Sequence, residues 1–197
     1  MTDPDESARF LERLRRRDES AFDELLRAHG PRIRSVVERM IGDPAEAEDL
    51  TQEVFVSVFK AIGEFRGDSK LTTWIHRIAI NHCHNRRKYL GRRARPGKEA
   101  WDDATEEESA HAPLSERIAR PDEAAEGNEA ERLVRSALAA LSDDHRALVV
   151  LRDLEGLAYD EIQTITGMPE GTVKSKLHRA RGELVKELER LRGGKKR

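Results

Sequence analysis

Cys83 is the one cysteine in 197 residues. A lone thiol excludes an intrachain disulfide and a cysteine-rich zinc site, a usage that fits a reducing compartment. Aromatic residues are scarce at 5%, and no apolar run is long enough to span a bilayer. The first ten residues, MTDPDESARF, are acidic and lack an apolar stretch, so no signal peptide is expected and the cytoplasm is the expected location. HExxH, Walker and nucleophile-elbow motifs are all missing. The best case for a metal or for catalysis is His82-Cys83-His84-Asn85, with His76 nearby. Adjacent helical side chains point about 100° apart, so these cannot converge on one ion. No catalytic residue, metal or cofactor is therefore expected, and the chain is not expected to be an enzyme.

What the chain has in quantity is charge: 38% of residues are charged against 37% hydrophobic. That ratio leaves apolar surface for compact helical units and little beyond, so two small cores are expected rather than one large one. The formal net charge of -2 argues against a nucleic-acid partner until the charges are placed along the chain. From Lys70 to Lys98 there are nine Lys or Arg and no acid; from Glu99 to Glu131, twelve acids and two Arg; from Gly171 to Arg197, ten basic residues and three acids. Any one such run reads most simply as a solvated face, but two basic blocks on two expected helices point towards phosphate.

Helical periodicity runs through most of the chain, and alternating strand patterns are nearly absent, so the fold is expected to be all-α. Asp18 is placed to cap a first helix that Gly30-Pro31 should close while opening the next. Asp43, Pro44 and Glu46 form a capping-box pattern ahead of a helix that Gly63 should stop. On that helix Leu50, Val54, Val58, Ala61 and Ile62 share one face, while Asp49, Gln52, Glu53 and Lys60 share a polar one. The loop Phe65 to Lys70 leads into a helix expected from about Thr72 to Tyr89. Its apolar arc is Leu71, Trp74, Ile75, Ile78 and Ala79, and Arg77, Asn81, His84 and Lys88 line a neighbouring strip. Trp74 is expected mainly in the core.

From Gly91 periodicity fades into an acidic stretch broken by Pro96, Pro113 and Pro121, read as a linker over 91–127 between domains at 1–90 and 128–197. Beyond it, Ser142 should cap a helix. The stretches AYDEIQTITG and MPEGTVKSKLHRARGELVKELERLR then meet at Gly167, a helix-turn-helix pattern with Pro169 opening the second helix. Val173, Leu177, Ala180, Leu184, Leu188 and Leu191 form that helix's apolar stripe. Thr172, Ser175, His178 and Arg179 are left opposite, flanked by Lys174, Lys176 and Arg181, a donor-rich face suited to base edges and phosphates.

Three stretches in this order, AEDLTQEVFVSVFKAI, EFRGDSKLTTWIHRIAIN and RDLEGLAYDEIQTITGMPEGTVKSKLHRARGEL, resemble the conserved region 2 and region 4 motifs of the extracytoplasmic-function group of bacterial sigma factors. The resemblance departs at Ala158, where a capping Ser or Thr is frequent, at Phe59 in place of Trp, and at Asn85 in place of Asp. It implies two helical domains that bind core RNA polymerase at its β′ clamp and β flap, promoter DNA, and an anti-sigma factor. It implies docking on the clamp by Asp49, Gln52 and Glu53. It implies capture of a flipped base by the loop holding Phe65, Arg66, Asp68 and Lys70, and a grip on the proximal promoter element by Trp74, Arg77, Asn81, Asn85, Arg86 and Arg87. It implies reading of the distal element by Thr172, Lys174, Ser175, His178 and Arg179, with Lys176 and Arg181 beside them. The alternative is a helix-turn-helix regulator that binds duplex DNA without polymerase.

Overall fold

The computed structural model describes residues 4–93 and 129–193, and among them every regular element is helical. A first group comprises α1 (Pro4–Arg15), α2 (Glu19–Ile41), α3 (Pro44–Ala61), a single 3-10 turn (Ile62–Glu64) and α4 (Leu71–Arg93). The second comprises α5 (Glu129–Ala140), α6 (Asp143–Val149) running on as a π-helical turn (Val150–Leu154), α7 (Tyr159–Thr166) and α8 (Glu170–Gly193). No helix among the described residues is long and apolar enough to cross a membrane.

Local chemistry accounts for most boundaries. Asp18 accepts hydrogen bonds from the Ser20 and Ala21 amides at the start of α2, and Asp43 does the same for Ala45 and Glu46 at the start of α3, with Pro44 in the first turn. Glu46 does not complete the expected box: its carboxylate receives Arg86 Nη1 at 2.6 Å. The expected break at Gly30-Pro31 is absent, and α2 is one helix of 23 residues with Pro31 inside it. A proline clashes with the Cβ and amide of the residue before it, and glycine at that position has no Cβ. The apolar face continues on both sides, through Ala21 and Leu25, then Ile33, Val36, Val37 and Met40, and its burial holds the helix across the missing hydrogen bond. At its far end Gly42, at φ 89°, donates to the Glu38 carbonyl and closes the helix.

In the first group α2 packs on both α3 and α4, burying Leu50, Val54, Val58, Ile75, Ala79, Ile80 and Cys83. In the second, α8 lies across α5, α6 and α7 over Leu148, Val149, Ile162, Val173, Leu177 and Ala180. The two expected cores are not separate, for the buried apolar side chains of both groups form one continuous cluster. Helix α4 runs through Gly91 to Arg93, past the expected domain end at 90, and the rest of the expected linker lies outside the described residues.

Candidate functional site

Helix α3 carries the acidic strip on its outward face. Asp49, Gln52 and Glu53 are exposed and line an open depression with Val56, Ser57, Lys60, His82 and Arg86. His82 Nε2 and Ser57 Oγ lie 2.9 Å apart on its wall. Arg86 reaches from α4 on to this strip, giving Nη2 to Glu53 at 2.7 Å as well as Nη1 to Glu46. One of the arginines expected on DNA thus sits among the residues expected on polymerase, where it neutralises part of their charge.

The loop before α4 is built around Phe65. Its ring is buried and packs against Trp74 at a centroid distance of 5.2 Å, and its carbonyl accepts from Arg15 Nη2 at 2.7 Å. Gly67, at φ 84°, takes the backbone through a conformation that favours glycine. With the turn pinned at Phe65, Arg66, Asp68 and Lys70 are exposed, and Trp74 is half-buried. Trp74 therefore both closes the core and walls the loop. Along α4, Arg77, Asn81, Asn85 and Lys88 are exposed, while Arg87 turns inward to Asp143 of α6 and to the Met40 carbonyl at 3.4 Å.

On α8, Ser175, His178 and Arg179 are exposed, and Thr172 is half-buried at their edge. The turn ahead of them is formed as the sequence predicts: Gly167 stands at φ 72° and donates to the Gln163 carbonyl, and Val173 bonds back to the Pro169 carbonyl. Helix α7 begins at Ala158 without a capping hydroxyl, but the Glu161 carboxylate accepts the Ala158 amide at 3.0 Å. Three of the flanking cations are paired: Lys174 with Glu170 at 2.6 Å, Lys176 with Asp144 at 2.6 Å, and Arg181 with Asp153 at 2.5 Å. Lys174 and Arg152 also stand over the Tyr159 ring.

A further cluster carries no local sequence signal, because its partners are far apart in the chain. Glu155, its side chain 6% exposed, receives Arg32 Nε at 2.5 Å and lies 3.5 Å from Arg39, and its carbonyl accepts Arg32 Nη2 at 2.6 Å. Glu161 receives Lys70 Nζ at 3.0 Å and the Thr73 hydroxyl at 3.3 Å. Arg146, 1% exposed, gives its guanidinium to the carbonyls of Leu138, Ala139, Leu141 and, across the domains, Met40 at 2.7 Å. Burial, with the Arg87 charge nearby, lowers its pKa to about 9 against the opposing pull of Asp143. Cys83 lies in the same interior, and desolvation raises its thiol to about 12, which leaves it unreactive. Among the described residues no cluster of His, Cys, Asp or Glu could hold a metal ion.

Two family models match the chain: Sigma-70 region 2 over residues 25–93 and Sigma-70, region 4 over residues 131–184. The chain is 36% identical to the RNA polymerase sigma-H factor of Pseudomonas aeruginosa over 97% of its own length and 98% of that protein's. It is 32% identical to the ECF RNA polymerase sigma-E factor of Escherichia coli, over 92% of this chain and 94% of the relative. Among solved structures, the sigma factor RpoE of Bartonella quintana in complex with the anti-sigma factor NepR superposes with a TM-score of 0.64 at 24% identity, over 85% of this chain and 96% of that one. CnrH in complex with the cytosolic domain of CnrY gives 0.62 at 19% identity, over 91% and 95%. At those identities the two structures speak for the fold.

Proposed function

The chain belongs to the extracytoplasmic-function sigma factors, and from that premise we propose how its surfaces divide the work of starting transcription. As a sigma factor it binds core RNA polymerase and directs initiation at chosen promoters, and its family is regulatory rather than catalytic. Its working place is the cytoplasm.

The α3 strip of Asp49, Gln52 and Glu53 docks on the basic β′ clamp, and Arg86 belongs to this face, where it holds Glu53 in place. The loop of Phe65, Arg66, Asp68 and Lys70 holds a base flipped from the opened strand, the Phe65 carbonyl being already tied to Arg15. Pre-ordering the loop lowers the entropy lost on capture, and the contacts offset an unstacking cost of a few kcal/mol. Trp74, Arg77, Asn81 and Asn85 continue this surface along α4, with Arg87 able to join once it leaves Asp143. In the second domain Thr172, Ser175, His178 and Arg179 enter the major groove of the distal element, while Lys174, Lys176 and Arg181 lie towards its phosphates. The same domain also meets the β flap. Both solved neighbours are named as complexes with a second protein, in one case an anti-sigma factor, which supports a protein inhibitor for this chain too.

The observation that carries the reading is the α8 face: a glycine-turned helix pair presents Ser175, His178 and Arg179 to solvent over a packed core. In vitro transcription of a genomic DNA library by core polymerase, with and without the protein, followed by mapping of RNA 5′ ends, tests it. Starts that need the protein and share two upstream blocks are expected. No new starts, with tight specific binding of the protein alone to duplex DNA, would replace it with a regulator that works without polymerase.

A further inference from the structure

Helix α1 precedes the residues matched by the region 2 model, yet it reaches into the base-capturing loop. Arg15, fifty residues away in the chain, gives Nη2 to the Phe65 carbonyl at 2.7 Å. Phe65 is thereby held from three sides: its amide donates to the Ile62 carbonyl at 3.2 Å, its ring lies 5.2 Å from that of Trp74, and its carbonyl receives Arg15. Beyond this root the tip turns through Gly67, at φ 84°, with Arg66 and Asp68 exposed on either side. We propose that Arg15 is a positioning residue for promoter opening: without touching DNA, it fixes the root of the loop so that the tip meets the flipped base already ordered. The proposal rests on the reading of that loop as the base-capture site.

Such a brace works only if α1 is itself fixed, and the arginines on either side of Arg15 fix it. Arg13 donates from Nε to Asp18 at 3.0 Å and from Nη2 to the Ser20 hydroxyl at 2.7 Å, which ties the end of α1 to the cap of α2. Arg17 takes a left-handed backbone at φ 61°, and its guanidinium stands 4.7 Å over the Phe59 ring of α3. Leu14 is fully buried, and Phe10 and Leu11 pack against the same core. Arg15 therefore reaches Phe65 from a rigid base. Its bond is charge-assisted and stronger than one between neutral groups. Without it the root of the loop gains freedom that is lost again when a base is captured. A carbonyl does not neutralise the guanidinium, so contact with a phosphate is the rival use of this exposed side chain. The two uses predict different things.

The test uses core polymerase with the full-length protein on one promoter from the library assay, each non-template base of the proximal block being replaced in turn by an abasic site. With wild-type protein one position should stand out as the most costly to strip, and it marks the captured base. Arg15→Met keeps the aliphatic stem and removes the donor. It should cut output from the intact promoter about ten-fold, the scale of a hydrogen bond to a charged group. Output from the promoter abasic at the marked position should barely change, because a loop with nothing to capture gains nothing from being ordered. Arg15→Lys restores a donor and should recover part of the loss, and the salt dependence of promoter binding should match wild type for both variants. Equal losses on the intact and abasic promoters would overturn the proposal. Joined to a salt slope lower by about one, they would make Arg15 a phosphate contact; at an unchanged slope, they would make the bond a support of the fold alone. Discrimination by the wild type with no change in Arg15→Met would overturn the brace and leave the base-capture reading standing. A wild-type protein indifferent to every abasic site would remove that reading and the brace together.

Discussion

At Gly167 the chain turns from α7 into α8 at φ 72°, and a Cβ added there would meet no atom within 4 Å. The cost of any other residue is thus backbone strain alone. Gly167→Ala should lower stability by about 1 kcal/mol, since the left-handed region costs an L-residue on the order of 1–2 kcal/mol. In urea the midpoint should fall with the slope unchanged. Nine residues earlier, at Ala158, the opposite holds. Ala158 has the extended backbone of an N-cap, at φ -71° and ψ 159°, and no side-chain oxygen to use it. Ala158→Ser should add about 1 kcal/mol, the usual worth of such a cap. An unchanged urea midpoint would mean that the Glu161 carboxylate on the Ala158 amide already suffices at that helix start. Caps of this kind are legible in sequence because donor and acceptor lie within four residues, as the expected roles of Asp18, Asp43 and Gly167 illustrate.

Helix α8 presents two arginines two residues apart in different states. Arg181 is held by both oxygens of Asp153, whereas Arg179 is exposed and carries no ion pair among the described residues. A free guanidinium loses less on reaching a base edge than one that must first leave a carboxylate. Arg179→Ala should therefore relax the distal sequence block and cut output about ten-fold or more, a share of the 1–3 kcal/mol typical of a bidentate base contact. Arg181→Ala should leave the block's sequence intact, as read from the mapped starts. A similar division concerns Arg86. Its place beside Asn85 in the chain puts it with the expected DNA grip, but a long side chain can turn either way from its Cα, and periodicity does not say which. It turns to Glu46 and Glu53. Arg86→Ala should change competition for core polymerase and leave promoter choice alone; altered promoter choice at unchanged core binding would return Arg86 to the DNA surface. Helix type and apolar faces were legible from sequence because they repeat locally, whereas Gly30-Pro31 reads as a break because the burial that carries α2 across it lies on other helices.

The meeting of the two domains was not legible, because Arg32 and Glu155, or Met40 and Arg146, lie more than a hundred residues apart and share no spacing rule. Yet this contact shapes how the molecule responds to pH. His76 is 2% exposed; its Nδ1–H donates to the Thr72 carbonyl at 2.7 Å, and its Nε2 has no hydrogen-bond partner among the described residues, lying 3.9 Å from Glu155. Burial is the main cause that lowers its pKa, with Arg32 adding to the shift and Glu155 and Glu161 opposing it. Burial lowers His29 too, helped by His76 and Arg32, and it lowers His84 against the pull of Asp143 and Asp144. In all three the folded protein holds the neutral ring, while the unfolded chain takes up protons near the ordinary histidine value of about 6.5. Below that pH the unfolded state binds more protons than the folded one, so stability is complete above it and declines as pH falls. The melting temperature should thus drop between pH 7.5 and pH 5, and His76→Asn should remove part of that drop, since it removes one of the three rings that must be kept neutral. If acid mainly loosens the contact between domains, the radius of gyration at pH 5 will rise before the melting temperature has fallen far, because His76 faces Glu155 across that contact. A melting temperature constant over this range would show that the carboxylates around these rings already offset the cost of charging them.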